Sequence, residues 1–92
     1  MYEILLYHYV DGFAERRGPF REKHLSLARD FADRGLLVMA GAYNDPTDGA
    51  VLIFKSDEPG LAREFAERDP YVENGLVTSW RARKWNVVIG AK

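Results

Sequence analysis

Phe20-Arg21-Glu22-Lys23-His24-Leu25-Ser26-Leu27-Ala28-Arg29-Asp30-Phe31-Ala32 reads as an amphipathic helix that carries a histidine inside its apolar stripe. At about 100° per residue, Phe20, Leu27, Ala28 and Phe31 fall within one arc and His24 projects into the middle of it. Glu22, Arg29, Asp30 and Asp33 take the opposite face. A leucine would pack better in that place, so the histidine needs either a hydrogen-bond partner or a chemical task. Pro19 stands where the helix begins, after a charged loop from Asp11 onward, and Gly35 is a C-terminal cap behind Arg34.

On either side of this helix the pattern changes to strands. Tyr2 to Val10 is rich in aromatic and β-branched residues and runs into an Asp11-Gly12 turn. Leu36 to Ala42 and Ala50 to Phe54 flank a turn made of Tyr43 to Gly49, which pairs them as a hairpin. Ser56-Asp57-Glu58-Pro59 carries the signals of a helix start, and Leu61, Ala62, Phe65 and Asp69 share a face of the helix that follows. Pro70 ends that helix at Asp69, and Leu76 to about Val88 is the last strand, with Trp80 and Trp85. No linker, repeat or low-complexity segment interrupts the chain, so residues 1–92 are expected to form a single domain.

The order β-α-β-β-α-β predicts an α+β, ferredoxin-like fold: a four-stranded antiparallel sheet with two helices on one face. The helices then run in opposite directions, which brings His24, in the second turn of the first, to the same end of the domain as Asp69, the last residue of the second. These two residues are expected to meet. A single helical layer leaves the other face of the sheet bare, yet the strands are apolar on both faces, with Leu5, Tyr7, Leu37 and Met39 expected on the uncovered one. Two copies packed sheet to sheet, as in a dimeric α/β barrel, would bury it, so a homodimer is expected.

Composition narrows the function. A chain that is 47% hydrophobic and 29% charged is globular, and thirteen basic against fourteen acidic residues, with no basic run, argue against nucleic acid as a partner. The absence of cysteine removes disulfides, thiolate nucleophiles and cysteine-type metal centres. The first residues lack the basic start of a signal peptide, and no apolar run approaches the roughly 20 residues of a membrane span. A soluble, cytoplasmic protein with no membrane association is expected. Two histidines on separate elements make no metal motif, Asp45 and Asp48 belong to a turn, and the glycines form no phosphate cradle, so neither a metal nor a cofactor is expected.

Arg21-x-x-His24-Leu25, then Gly35-Leu36-Leu37-Val38-Met39-Ala40-Gly41, then Asp69-Pro70-Tyr71-x-x-x-Gly75-Leu76-Val77, taken in this order over nearly the whole chain, are similar to the YCII-related (YciI-like) proteins. The resemblance implies a ferredoxin-like dimeric α/β fold and an active site on a His/Asp pair, which falls here on His24 and Asp69. It also implies a loose reaction class, lyase or isomerase chemistry on small ring compounds. Ala42 stands where many members carry proline, and the loop from Tyr43 to Gly49 is short.

A carboxylate on one imidazole nitrogen fixes the tautomer and raises the basicity of the other, which makes a general base. The plainer reading is a buried polar bond that ties the two helices together. Arg21, one turn before His24, and Arg17, in the entering loop, are candidates to hold a substrate carboxylate or developing enolate, although arginines at a helix edge are usually solvated. Tyr71 and Trp80 are candidate walls of a substrate pocket or ordinary core. His8 is a further candidate, with structural or dimer-cavity lining as its default role. Three readings stay open: a cofactor-independent enzyme of lyase or isomerase type, a non-catalytic dimer binding a small ligand or a partner, and a structural pair in an accessory domain. A cleft open to solvent beside His24 favours the first two.

Overall fold

The computed structural model describes residues 1–90. Strand β1 (Tyr2–Tyr9) is followed by a short helix α1 (Phe13–Arg16) and the long helix α2 (Gly18–Asp33). The hairpin β2 (Leu37–Ala42) and β3 (Gly49–Lys55) comes next, then α3 (Leu61–Arg68), α4 (Pro70–Glu73) and β4 (Val77–Trp85). All pairings are antiparallel and the strand order is β2-β3-β1-β4, so the fold is α+β as expected. Among the described residues no helix is long and apolar enough to cross a membrane.

The helices fill one face of the sheet. Phe31 of α2, Phe54 of β3 and Phe65 of α3 have no exposed surface, and their rings meet at centroid distances of 6.2, 5.2 and 5.5 Å. Burial of each such ring contributes about 2 to 3 kcal/mol to the fold. Gly49 lets β3 approach β1 closely: a Cβ there would come within 2.5 Å of the Tyr7 carbonyl oxygen and 2.9 Å of the Tyr43 ring.

Several expectations are corrected. Leu5, Tyr7 and Leu37 point into the helix-covered core, and of the four residues assigned to the bare face only Met39 lies there, 62% exposed. A strand apolar on both sides gives alternation without a phase. In β2 a register shift between Leu37 and Met39 puts these two residues on opposite faces although they are two apart. The bare face carries Ile4, Leu6 and His8 of β1, Val51 and Ile53 of β3 and, by register, Arg81 and Arg83 of β4.

The element ends differ too. The loop from Asp11 to Pro19 contains α1, and α2 starts at Gly18 with Pro19 in its first turn. Helix α3 begins at Leu61 behind Gly60, whose φ of 95° suits only glycine. Its cap comes from a distant residue: the buried Glu3 carboxylate of β1 accepts the backbone N–H of Gly60 at 2.8 Å and of Ala62 at 2.9 Å. Ser56 instead accepts the Glu58 N–H in a local turn. Pro70 ends α3 and also opens α4, and β4 stops at Trp85 rather than near Val88.

Candidate functional site

Asp69 lies between α3 and α4 and belongs to neither. Its extended backbone (φ −74°, ψ 123°) breaks one helix, and its side chain caps the next by accepting the Tyr71 N–H at 2.9 Å on Oδ1. The carboxyl is fully buried. Burial of this kind is stable only with full hydrogen bonding, and two more donors supply it. His24 Nδ1 lies 2.8 Å from Oδ1, and the Tyr7 hydroxyl of β1 donates to Oδ2 at 2.7 Å. The two residues expected to meet from opposite ends of antiparallel helices are therefore in direct contact.

This contact sets the imidazole. With a carboxylate as partner, Nδ1 carries the proton and donates it, which leaves the Nε2 lone pair free in the neutral ring. The ring is 14% exposed, and among the described residues no buried side-chain nitrogen or oxygen lacks a partner, so Nε2, which bonds to no described residue, reaches open space. Tyr71 stacks on the imidazole at 4.0 Å with 12° between planes and holds its orientation. Phe13 meets Tyr71 edge-on at 5.2 Å and stacks on Tyr9 at 3.6 Å, so an aromatic chain runs from β1 through α1 and α4 to the histidine.

His24 lines a cleft of about 230 Å³ between α2 and the β2–β3 edge of the sheet. Its polar wall is His24, Arg17, Arg21, Tyr9 and Tyr71. The opposite wall is small and apolar, with Ala40, Ala42, Ala50 and Leu52. Burial pushes the Tyr71 hydroxyl above its usual range, and the Arg21 and Arg17 guanidiniums pull the other way. Tyr9 is pushed up by burial, then by Tyr71 and Asp69, against the same two arginines. The cleft thus pairs cationic groups and phenolic side chains with a small-residue apolar wall, which suits a small molecule bearing an oxyanion. Among the described residues no three His, Asp or Glu side chains converge as a metal ion would need.

Of the residues singled out in the sequence, His24, Asp69, Arg21, Arg17 and Tyr71 come together here. Trp80 does not: it lies on the helix-facing side of β4 with the Arg63 guanidinium 5.5 Å from its ring centre, outside the cleft. His8 is exposed on the opposite face of the sheet. Tyr7, Tyr9 and Phe13 were missed. For the two tyrosines the signal is their spacing on one side of a strand, which places two hydroxyls among core positions; Phe13 has no comparable signal.

The YCII-related domain model matches residues 1–86. No curated protein matches the chain. Among solved structures, 5-chloro-2-hydroxyhydroquinone dehydrochlorinase (TftG) from Burkholderia phenoliruptrix AC1100, in complex with 2,5-dihydroxybenzoquinone, is similar with a TM-score of 0.77 at 17% identity, covering 94% of each chain. Protein Atu4242 from Agrobacterium tumefaciens is similar with a TM-score of 0.57 at 18% identity, over 89% of this chain and 88% of that one. A NIPSNAP family protein from Agrobacterium tumefaciens C58 reaches 0.56 at 14% identity, over 89% and 87%. At such identities the likeness is one of fold.

Proposed function

Because this chain belongs to the YCII-related domain family, we propose that its cleft is the active site of a small cofactor-independent enzyme of lyase or isomerase type, with His24 as general base. The observation that carries the reading is the setting of one ring: Nδ1 is held by a buried carboxylate while the imidazole, with its other nitrogen bonded to no described residue, lines the cleft. A purely structural pair would have no need of that opening.

The Nε2 lone pair takes a proton from a carbon beside a carbonyl, or from a ring hydroxyl, of a small anionic or ring-containing substrate. The released electron pair moves onto the substrate oxygen, where Arg21 and Arg17 stabilise the enolate or phenolate. The intermediate then expels a leaving group, which makes a lyase, or takes the proton back from the imidazolium at another carbon, which makes an isomerase. Asp69 keeps the tautomer and stabilises the imidazolium, and Tyr71 orients the ring. The similar fold of a dehydrochlorinase seen with a dihydroxybenzoquinone supports this substrate class.

The half-buried apolar residues Ile4, Leu6, Val51 and Ile53, together with the exposed Met39, support pairing of two copies through the bare sheet face, as in a dimeric α/β barrel. The alternative, a dimer that only binds a small ligand, rests on the same cleft and is separated by turnover. In a panel of small cyclic ketones, lactones and hydroxyquinones in deuterated buffer, wild type should catalyse exchange or elimination, and His24→Ala should lose about a hundredfold or more. Unchanged turnover in His24→Ala rejects the base, and saturable binding without turnover supports the binder.

A further inference from the structure

We propose that Tyr7 is a positioning residue for the histidine–carboxylate pair: its hydroxyl, 2.7 Å from Oδ2 of Asp69, holds the carboxylate so that Oδ1 meets His24, and draws off part of the charge that pulls on the imidazole proton. The proposal rests on the general-base reading of His24 and deepens it.

A buried strand position calls for an apolar side chain. Tyr7 is 3% exposed on the helix-facing side of β1, where phenylalanine would pack as well and leave no hydroxyl to satisfy. The hydroxyl instead finds Asp69, 62 positions away in the chain. Its backbone is fixed by the close approach of β3 at Gly49. Asp69 then has its oxygens divided: Oδ1 serves His24 and the Tyr71 N–H, and Oδ2 serves Tyr7. Rotation of the carboxyl would break all three bonds at once.

Division of the oxygens also divides the charge. A carboxylate beside a neutral imidazole is a lone anion, whereas beside an imidazolium it is half of a neutral pair. A donor on Oδ2 stabilises the lone anion more, so it biases the pair toward the neutral imidazole that can act as base. The other charged and titratable groups facing the imidazole are Tyr9 from β1, Arg17 and Arg21 at the start of α2, and Tyr71 from α4. None of these touches Oδ2.

The test needs no substrate. Ring resonances of His24 are followed against pH by NMR in wild type, Tyr7→Phe and Asp69→Asn, with His8, exposed on the far face, as internal reference. Tyr7→Phe should move the His24 midpoint to higher pH and its Nδ1–H proton further downfield, Asp69→Asn should move the midpoint to lower pH, and His8 should stay in place. A His24 response in Asp69→Asn with none, or one to lower pH, in Tyr7→Phe overturns the role of Tyr7 and leaves the dyad standing. No response in either variant removes the dyad reading as well. If Tyr7→Phe does not fold, a ring-fluorinated tyrosine at position 7, a stronger donor of nearly the same shape, should move His24 to lower pH, and an unmoved midpoint overturns the proposal.

Discussion

Asp69 accepts three hydrogen bonds on two oxygens, and this arrangement determines what each substitution there would test. Asparagine can keep its oxygen toward His24 and the Tyr71 N–H while its amide donates to Tyr7, because a hydroxyl accepts as well as donates. Asp69→Asn should therefore remove the charge and leave the Tyr7 proton without its acceptor, a stability loss of about 1 to 3 kcal/mol. Asp69→Ala strands three donors and should cost about 3 to 5 kcal/mol; urea titration distinguishes the two. The tyrosines around the pair supply a second prediction. Tyr7 and Tyr9 ionise well above the usual tyrosine range in the fold, chiefly through burial. Their folded values exceed those of the unfolded chain, so the stability they contribute is intact below about pH 10 and is lost as pH rises past it. Tyrosinate absorbance from these two residues should appear together with alkaline unfolding, not ahead of it. At this scale His24 and Asp69 were legible, one from helical periodicity and the other from topology. Tyr7 and Tyr9 were not, because both faces of Tyr2–Tyr9 read as apolar and nothing local fixed which face their hydroxyls took.

Among the elements, α3 joins the stability of the fold to the geometry of the cleft. Glu3 holds its first turn, Phe65 fills the core from its middle, and Asp69 follows its last residue. Glu3→Ala should cost about 2 kcal/mol by chemical denaturation, as the buried Ala62 N–H and the part-buried Gly60 N–H lose their acceptor. It should also loosen the far end, visible as faster exchange of the Tyr71 amide. The strands and main helices were legible because apolar runs alternate with Gly, Pro and Asp punctuation. The cap of α3 was not, since Ser56 and Asp57 carry the local signal and the working carboxylate sits 57 residues away from the Gly60 N–H it accepts. In the sequence Asp69-Pro70 signals a stop, yet the same dipeptide is an N-cap followed by a first-turn proline, and a proline after a helix serves both ends equally.

For the whole molecule, the apolar strip from Met39 through Val51 and Ile53 to Ile4 and Leu6 gives the proposed pairing a direct test. Sedimentation at micromolar concentration should find a dimer, and Ile53→Lys should give a folded monomer; a wild-type monomer would remove the pairing. The need for a cover was legible from strands apolar on both sides. The residues that form the strip were not, because the shift between Leu37 and Met39 is a property of the paired sheet and not of either strand alone. The placement of the two tryptophans has a practical consequence. Trp80 lies under Arg63 on β4, and Trp85, 40% exposed, pairs with Tyr2 at the edge of the bare face. Neither borders the cleft. Indole emission is therefore a gauge of sheet assembly and nearly blind to occupancy of the cleft, so a fluorescence screen that finds no change would say nothing about ligands. Ligand searches should instead follow near-ultraviolet dichroism of the stacked Tyr9, Phe13 and Tyr71 rings.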